Sequence, residues 1–316
     1  MAKRGRTPQE VKPLLAGVIN IQYTPFKSAT EIDEEALRDN TRFMIENGIV
    51  TGRGVQVIGG SNGEGFSLSE EEYRQLIDIV VDEAAGRVPI CVGCVRSATQ
   101  PVIEIAKYAE EAGADALMIL PPFYYPDPSD DLVYEHFKAI ADATHIRIMI
   151  YNTPRVTGKD LSVDLLTRLA EIENIVALKE TTSNMFLFRE VAYKLADRFT
   201  LNANTYRWLM PLDYQLGLVG FNTLFGNNDP AFVLKLHDAG LSGDFERCHE
   251  IWTRALDLYK FTVARGMYWL TAYGKEMARI AGRPMGSYER LPLQRPSAEE
   301  RLKLRQLMEK AGMAVS

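Results

Sequence analysis

Short apolar runs rich in β-branched residues alternate along the chain with longer stretches whose apolar residues recur at helical spacing. The short runs fall at 17–24, 54–59, 89–95, 115–120, 146–151, 175–180, 199–203 and 218–224. Helical patterns fall between and after them, at 33–48, 69–85, 99–112, 130–144, 162–172, 184–197, 206–216 and 230–239. Ile146 to Ile150 and Ile175 to Leu178 are nearly continuous apolar runs, as expected of parallel strands buried on both faces. Eight βα units repeating about every 30 residues predict a closed barrel before an open sheet. The expected fold is therefore α/β, a (β/α)8 TIM barrel.

Local signals support the individual helices. Ser69 and Glu72 form a capping box ahead of Tyr73, Leu76, Ile77, Val80 and Val81. Ser129 precedes Leu132, Phe137 and Ile140 in the same manner, and Gly86 and Gly113 are placed to end the second and third helices. After about residue 240 the β signal stops. Three further helices are predicted at 242–264, 267–281 and 297–311, with Pro284, Pro292 and Pro296 marking the linker before the last. The expected organisation is a tail over 1–13, a barrel over 14–240 and a C-terminal helical extension over 241–316. Tyr259, Phe261, Met267, Trp269 and Leu270 in that extension fit core packing or an assembly surface equally.

Composition narrows the field. The 316 residues carry 36 Lys+Arg against 42 Asp+Glu, a formal charge of -6, which argues against nucleic acid as the main partner. Lys3, Arg4 and Arg6 read as a solvated terminus. No apolar run reaches the roughly 18 residues of a membrane span, and the first residues have no apolar core of a secretory signal. Three cysteines do not make a disulfide framework, so a cytoplasmic location is expected.

A barrel of this type carries its chemistry where the strands end at their carboxyl termini. Lys179 lies near the end of strand six, sharing a face with Ala177, opposite Val176 and Leu178. A lysine inside a barrel loses solvation, which favours the neutral amine that attacks carbonyls. The plain alternative is a lysine reaching out to solvent. Tyr151, on the neighbouring strand, could pass protons to and from such an amine, although a lone tyrosine there is more commonly a core aromatic. Gly59 to Gly65, with Ser61 and Asn62, offers turn amides and side-chain donors suited to a carboxylate. It lacks the Lys-Ser/Thr of a P-loop. His136, His237, His249 and His145 are all placed away from the strand ends, which disfavours a histidine-ligated metal or a Ser/His/Asp arrangement. Cys91 and Cys94 are three apart on a strand and point to opposite faces, so both are expected to be core thiols.

Six segments in order, GVINIQYTPF, GGSNGEGFSLSEEE, Ala112 to Tyr125, YNTP, ALKE and GLVGFNT, resemble the pyruvate-dependent class I aldolases. That family includes dihydrodipicolinate synthase and N-acetylneuraminate lyase. The resemblance runs from Gly17 to about residue 310 and implies a barrel with a C-terminal helical region. It implies a homotetramer, a dimer of dimers, and no metal or organic cofactor. It puts Lys179 in the role of Schiff-base lysine and Tyr151 in that of proton shuttle. Gly60, Ser61 and Asn62 fall on the turn that binds the carboxylate of a 2-oxo acid, with Ser61 also in the proton relay. Tyr124 corresponds to a tyrosine that reaches into a neighbouring subunit's site, and Asn222 to the strand-eight segment along the pyruvyl group. Three departures stand out. Asn62 replaces a threonine. Val156 stands where the synthase has an arginine for a distal carboxylate, with Arg155 one place earlier. Asn202 to Thr205 lacks the glycine-acid pattern found at strand seven in many members. The leading expectation is a lyase joining or cleaving a small-molecule 2-oxo acid and an aldehyde. A dehydratase or deaminase acting through the same imine, and a non-catalytic small-molecule-binding barrel, are the alternatives.

Overall fold

Eight parallel strands close on themselves in the computed structural model, which describes residues 13–125, 127–204 and 210–316. They are β1 (Gly17–Ile21), β2 (Gly54–Ile58), β3 (Ile90–Cys94), β4 (Ala116–Ile119), β5 (Arg147–Asn152), β6 (Ile175–Glu180), β7 (Thr200–Asn204) and β8 (Gly220–Thr223). Gly17 pairs with Gly220 and Val18 with Gly54, so β1 joins β8 to β2 and leaves no free edge. The predicted barrel is the observed one. Each strand lies inside its predicted run or one residue beyond it.

The helices returning along the outside are α1 (Glu34–Glu46), α2 (Glu70–Ala84), α3 (Thr99–Ala112), α4 (Asp130–Ala143), α5 (Val163–Leu169), α6 (Met185–Leu195), α7 (Met210–Gln215) and α8 (Pro230–Leu241). The first part of the predicted 206–216 helix, like Pro126 and Thr205, lies outside the described residues. The capping box of Ser69 and Glu72 is present, and Ser129 accepts from the Leu132 amide. Gly113 ends α3 in the left-handed conformation. At the end of α2 the left-handed cap is Ala85, with φ 46°, and Gly86 follows it rather than forming it. The pattern of apolar positions did not show the hairpin of Phe26–Ser28 with Glu31–Ile32, because its strands are too short to alternate.

Strand alternation sorts the core into two. Ile19, Val57, Cys91, Met118 and Met149 fill the barrel interior. Val18, Val92, Cys94, Ile119 and Ile150 face the helices. Cys91 and Cys94 thus lie on opposite faces, both buried and free, as their spacing requires. One expectation fails on β6. Ile148 pairs with Ile175 but Met149 pairs with Ala177, so Val176 is an extra residue in a bulge. Val176 consequently packs inside the barrel with Ala177, not on the opposite face. Beyond the bulge regular alternation resumes, with Leu178 outward.

Three helices follow, α9 (Phe245–Val263), α10 (Met267–Ile280) and α11 (Ala298–Ala311). Tyr259 and Leu270 are buried in the chain's own core, and Phe261 and Trp269 stack on Tyr273 at 5.2 and 5.4 Å. These aromatics therefore serve packing. No described helix is long and apolar enough to cross a membrane.

Candidate active site

Lys179 and Tyr151 are cross-strand partners at the carboxyl ends of β6 and β5. Both are buried, at 5% and 6% exposure, although each carries a polar group. The Lys179 Nζ lies 3.7 Å from the centre of the Tyr151 ring, so the two side chains are in direct contact. Around them the barrel interior is apolar on the side of Ile19, Val57, Cys91 and Met118. Burial pushes the Cys91 thiol up to about 12, with the nearby charge of Lys179 acting in the opposite sense. Cys91 is therefore a neutral packing group beneath the lysine.

The residues next in sequence hold this pair in place. Asn152 Nδ2 donates to both carboxylate oxygens of Glu180, at 2.9 and 3.0 Å. The Leu161 amide donates to Asn152 Oδ1 at 3.2 Å, and the Thr181 hydroxyl donates to the Asn152 carbonyl at 2.7 Å. Asn152 and Glu180 are fully buried. This bond across the two strand ends fixes the register that sets Tyr151 beside Lys179.

The glycine-rich turn closes the end of β2. Gly59 has φ 65° and Glu64 φ 59°, and between them Ser61–Gly63 form a single 3-10 turn. The glycines are needed for close approach. A Cβ on Gly65 would overlap the Gly59 carbonyl and the Tyr73 hydroxyl, and one on Gly93 would meet the Gly60 Cα at 2.7 Å. Gly60 is buried and Ser61 half-buried. Asn62 is buried, and its Nδ2 donates to Thr271 Oγ1 of α10 at 2.9 Å. The Asn62 amide nitrogen is thus already engaged on the C-terminal helix. Glu64 is wholly buried and paired with Lys275, also of α10. Burial raises the Glu64 carboxyl above its ordinary value, against the pull of Lys275. Sequence reading passed over Glu64, Thr271, Lys275, Asn152 and Glu180. The available signal was a charged Glu64 inside a turn otherwise made of small residues, and a lysine at 275 amid Ala272, Tyr273, Gly274 and Met277.

Asn222 is buried in β8, with Nδ2 donating to the Ala203 carbonyl at 3.1 Å. The remaining two sequence-predicted residues stand apart. Arg155 is exposed on the one-turn helix Pro154–Thr157, beside Val156 at 38% exposure. Tyr124 is 78% exposed, its amide bonded to Ser97 Oγ at 3.1 Å, and its ring meets that of Tyr125 edge-on at 5.1 Å. The histidines sit where the sequence put them. His136 is on α4 against Thr99 and His237 on α8 against Tyr214, while His145 and His249 are outside the barrel mouth.

Residues 14–311 match the profile of the Dihydrodipicolinate synthetase family. The chain belongs to that family. A 4-hydroxy-tetrahydrodipicolinate synthase of Aquifex aeolicus is 34% identical over 309 residues, covering 95% of this chain and 99% of its own. The crystal structure of dihydrodipicolinate synthase from Aquifex aeolicus superposes with TM-score 0.85 at 33% identity, covering 96% of this chain and all of that one. The chloride-inhibited dihydrodipicolinate synthase from Acinetobacter baumannii, solved with pyruvate, gives TM-score 0.83 at 26% identity, covering 95% of this chain and 99% of that one. As a member of the dihydrodipicolinate synthetase family the chain is an enzyme, a lyase of the Schiff-base, class I aldolase type acting on small molecules.

Proposed function

We propose that Lys179 is the Schiff-base lysine and that the substrate is a 2-oxo acid such as pyruvate. The observation that carries this reading is the buried Lys179 with its Nζ against Tyr151. As the free amine, Lys179 attacks the C2 carbonyl to give a carbinolamine. Loss of water then leaves a protonated imine. In the cleavage direction the imine is that of a 4-hydroxy-2-oxo acid: the C4 hydroxyl gives up its proton, the bond between C3 and C4 breaks, its electron pair moves into the imine to form the enamine of pyruvate, and C4 leaves as an aldehyde. In the synthetic direction the enamine attacks an aldehyde. Tyr151, with Ser61, relays the protons that these steps take up and release. The Gly60–Asn62 turn receives the carboxylate, and the backbone of Asn222 lines the other side of the pyruvyl group.

Two further elements belong to this reading. Tyr124 and Tyr125 are exposed at the barrel mouth, and Phe186 and Tyr193 are 91% and 90% exposed on α6. So much uncovered aromatic surface supports a homo-oligomer, a dimer of dimers in which Tyr124 reaches the neighbouring site. Three buried free thiols suit a cytoplasmic location.

A dehydratase or deaminase outcome remains the second reading, and one observation favours it. Val156 and Arg155 lie at the surface on the Pro154–Thr157 turn, so Arg155 does not bring its guanidinium to the buried pair for the distal carboxylate that the synthase outcome requires. Borohydride trapping with pyruvate, read by intact mass and peptide mapping, tests the imine. We expect one reduced adduct, on Lys179, absent from Lys179→Ala. Pyruvate release from candidate oxo acids then marks a C–C lyase, and a larger oxo acid marks a dehydratase. A folded protein that traps no 2-oxo acid refutes both.

A further inference from the structure

The C-terminal helix α10 presents three residues of one face, Thr271, Gly274 and Lys275, to the barrel mouth. Each meets a residue just beyond the end of β1 or β2. Thr271 Oγ1 accepts from Asn62 Nδ2 at 2.9 Å. Lys275, with no exposed surface, pairs with Glu64 at the far end of the same 3-10 turn and with Glu289 at 3.3 Å. Gly274 lies so close to Tyr23, which follows β1, that a Cβ there would overlap the tyrosine hydroxyl. A third tether reaches the turn from the β1 side, where the Thr24 hydroxyl donates to the Gly63 carbonyl at 2.6 Å.

The turn cannot hold itself. Glu64 is in the left-handed conformation without being glycine, a strained choice for a residue with a side chain. Ser61–Gly63 is one 3-10 turn long, too short for a helix to be stable by itself. Its conformation is held from both sides, by Thr24 and by partners about 210 residues later in the chain. Removing either member of a buried ion pair leaves the other uncompensated, so Lys275 and Glu64 each hold the other in place.

Resting on the imine reading above, we propose that Thr271 and Lys275 are positioning residues that hold the Ser61–Glu64 turn so that its amides meet the carboxylate of the 2-oxo acid. They touch no reacting atom. Their effect is on the preorganisation of hydrogen-bond donors, which acts only on a substrate bearing the anion. The C-terminal helical region is on this view part of the active site, not only packing.

The test compares two ligands with the same ketone, pyruvate and its methyl ester, which lacks the anion. The concentration dependence of borohydride trapping on Lys179 is measured for wild type, Thr271→Val and Lys275→Met, with folding checked by circular dichroism. Thr271→Val should weaken pyruvate capture about threefold and Lys275→Met about tenfold, while capture of the ester stays within about twofold. A folded variant whose losses are equal for the two ligands, or absent for both, overturns the proposal. If Lys275→Met does not fold, Thr271→Val, which removes one hydroxyl, decides by the same ratio. A wild-type chain that traps neither ligand refutes the imine reading and this one with it. A wild type that traps both, with unchanged preference in the variants, refutes only the positioning role.

Discussion

Replacing Asn152 by aspartate should convert the bond between the ends of β5 and β6 into a like-charge contact whose cost depends on pH. In the wild type Asn152 Nδ2 lies 2.9 and 3.0 Å from the two Glu180 oxygens. Aspartate has the same shape but offers oxygen in place of the donor. Two ionised carboxylates at ~3 Å repel by about 5 kcal/mol at an effective dielectric constant of about 20. Protonating one of the two is cheaper. For a carboxyl of ordinary pKa, about 4, this costs roughly 4 kcal/mol at pH 7 and roughly 1.4 kcal/mol at pH 5. The destabilisation of Asn152→Asp relative to wild type should therefore shrink by about 1.4 kcal/mol for each pH unit on going from 7 to 5. At about 2–4 °C per kcal/mol for a chain of this size class, the Tm deficit should be on the order of 10 °C at pH 7 and a few degrees at pH 5. Asn152→Ala is the control. It loses the same hydrogen bonds, at about 1.5–3 kcal/mol for those to a charged acceptor, but with no added charge its deficit should not vary in this way. Thermal unfolding followed by circular dichroism across pH 5–8, each variant against wild type at the same pH, makes the comparison. Because Asn152 and Glu180 directly follow Tyr151 and Lys179, adduct formation on Lys179 should fall in parallel with the deficit. A deficit of Asn152→Asp equal at pH 5 and pH 7, or none at all, would mean that no like-charge contact forms between the two strand ends.

Burial lowers both His136 and His237 to about 4. Each binds its proton more readily when unfolded, so the stability due to their neutral forms is complete above about pH 6.5 and lost as pH falls towards 4, on the order of 3 kcal/mol for each. Replacing either with glutamine should flatten the fall in Tm between pH 6.5 and 4, and an unchanged slope would contradict the assignment. Burial also pushes the Cys91 and Cys94 thiols up to about 12 and that of Cys248 to about 11. All three should resist iodoacetamide at pH 8 in the native protein and react once it is denatured. Rapid native labelling of Cys91, read by peptide mass, would show that the barrel interior is open to solvent.

Much of this protein was legible in its sequence because the relevant information is local. Period-two and period-3.6 patterns, capping residues and βα spacing are each written within one or two turns of chain. They located eight strands, the flanking helices and the strand ends where Lys179, Tyr151 and the Gly59–Gly65 turn appear. Tertiary structure decided the rest. The bulge at Val176 is invisible to alternation, because it is defined by where β6 pairs with β5. The donor of Asn62 faces Thr271, and Glu64 faces Lys275, only once barrel closure has brought α10 over the mouth. Arg155 and Tyr124 share the site's strand ends in sequence, yet their loops carry them to the surface of the chain. Local propensity sets each element. Which side chains meet across more than 200 residues depends on the closed sheet and on the helices packed against it, and that is where the surroundings of the lysine are set.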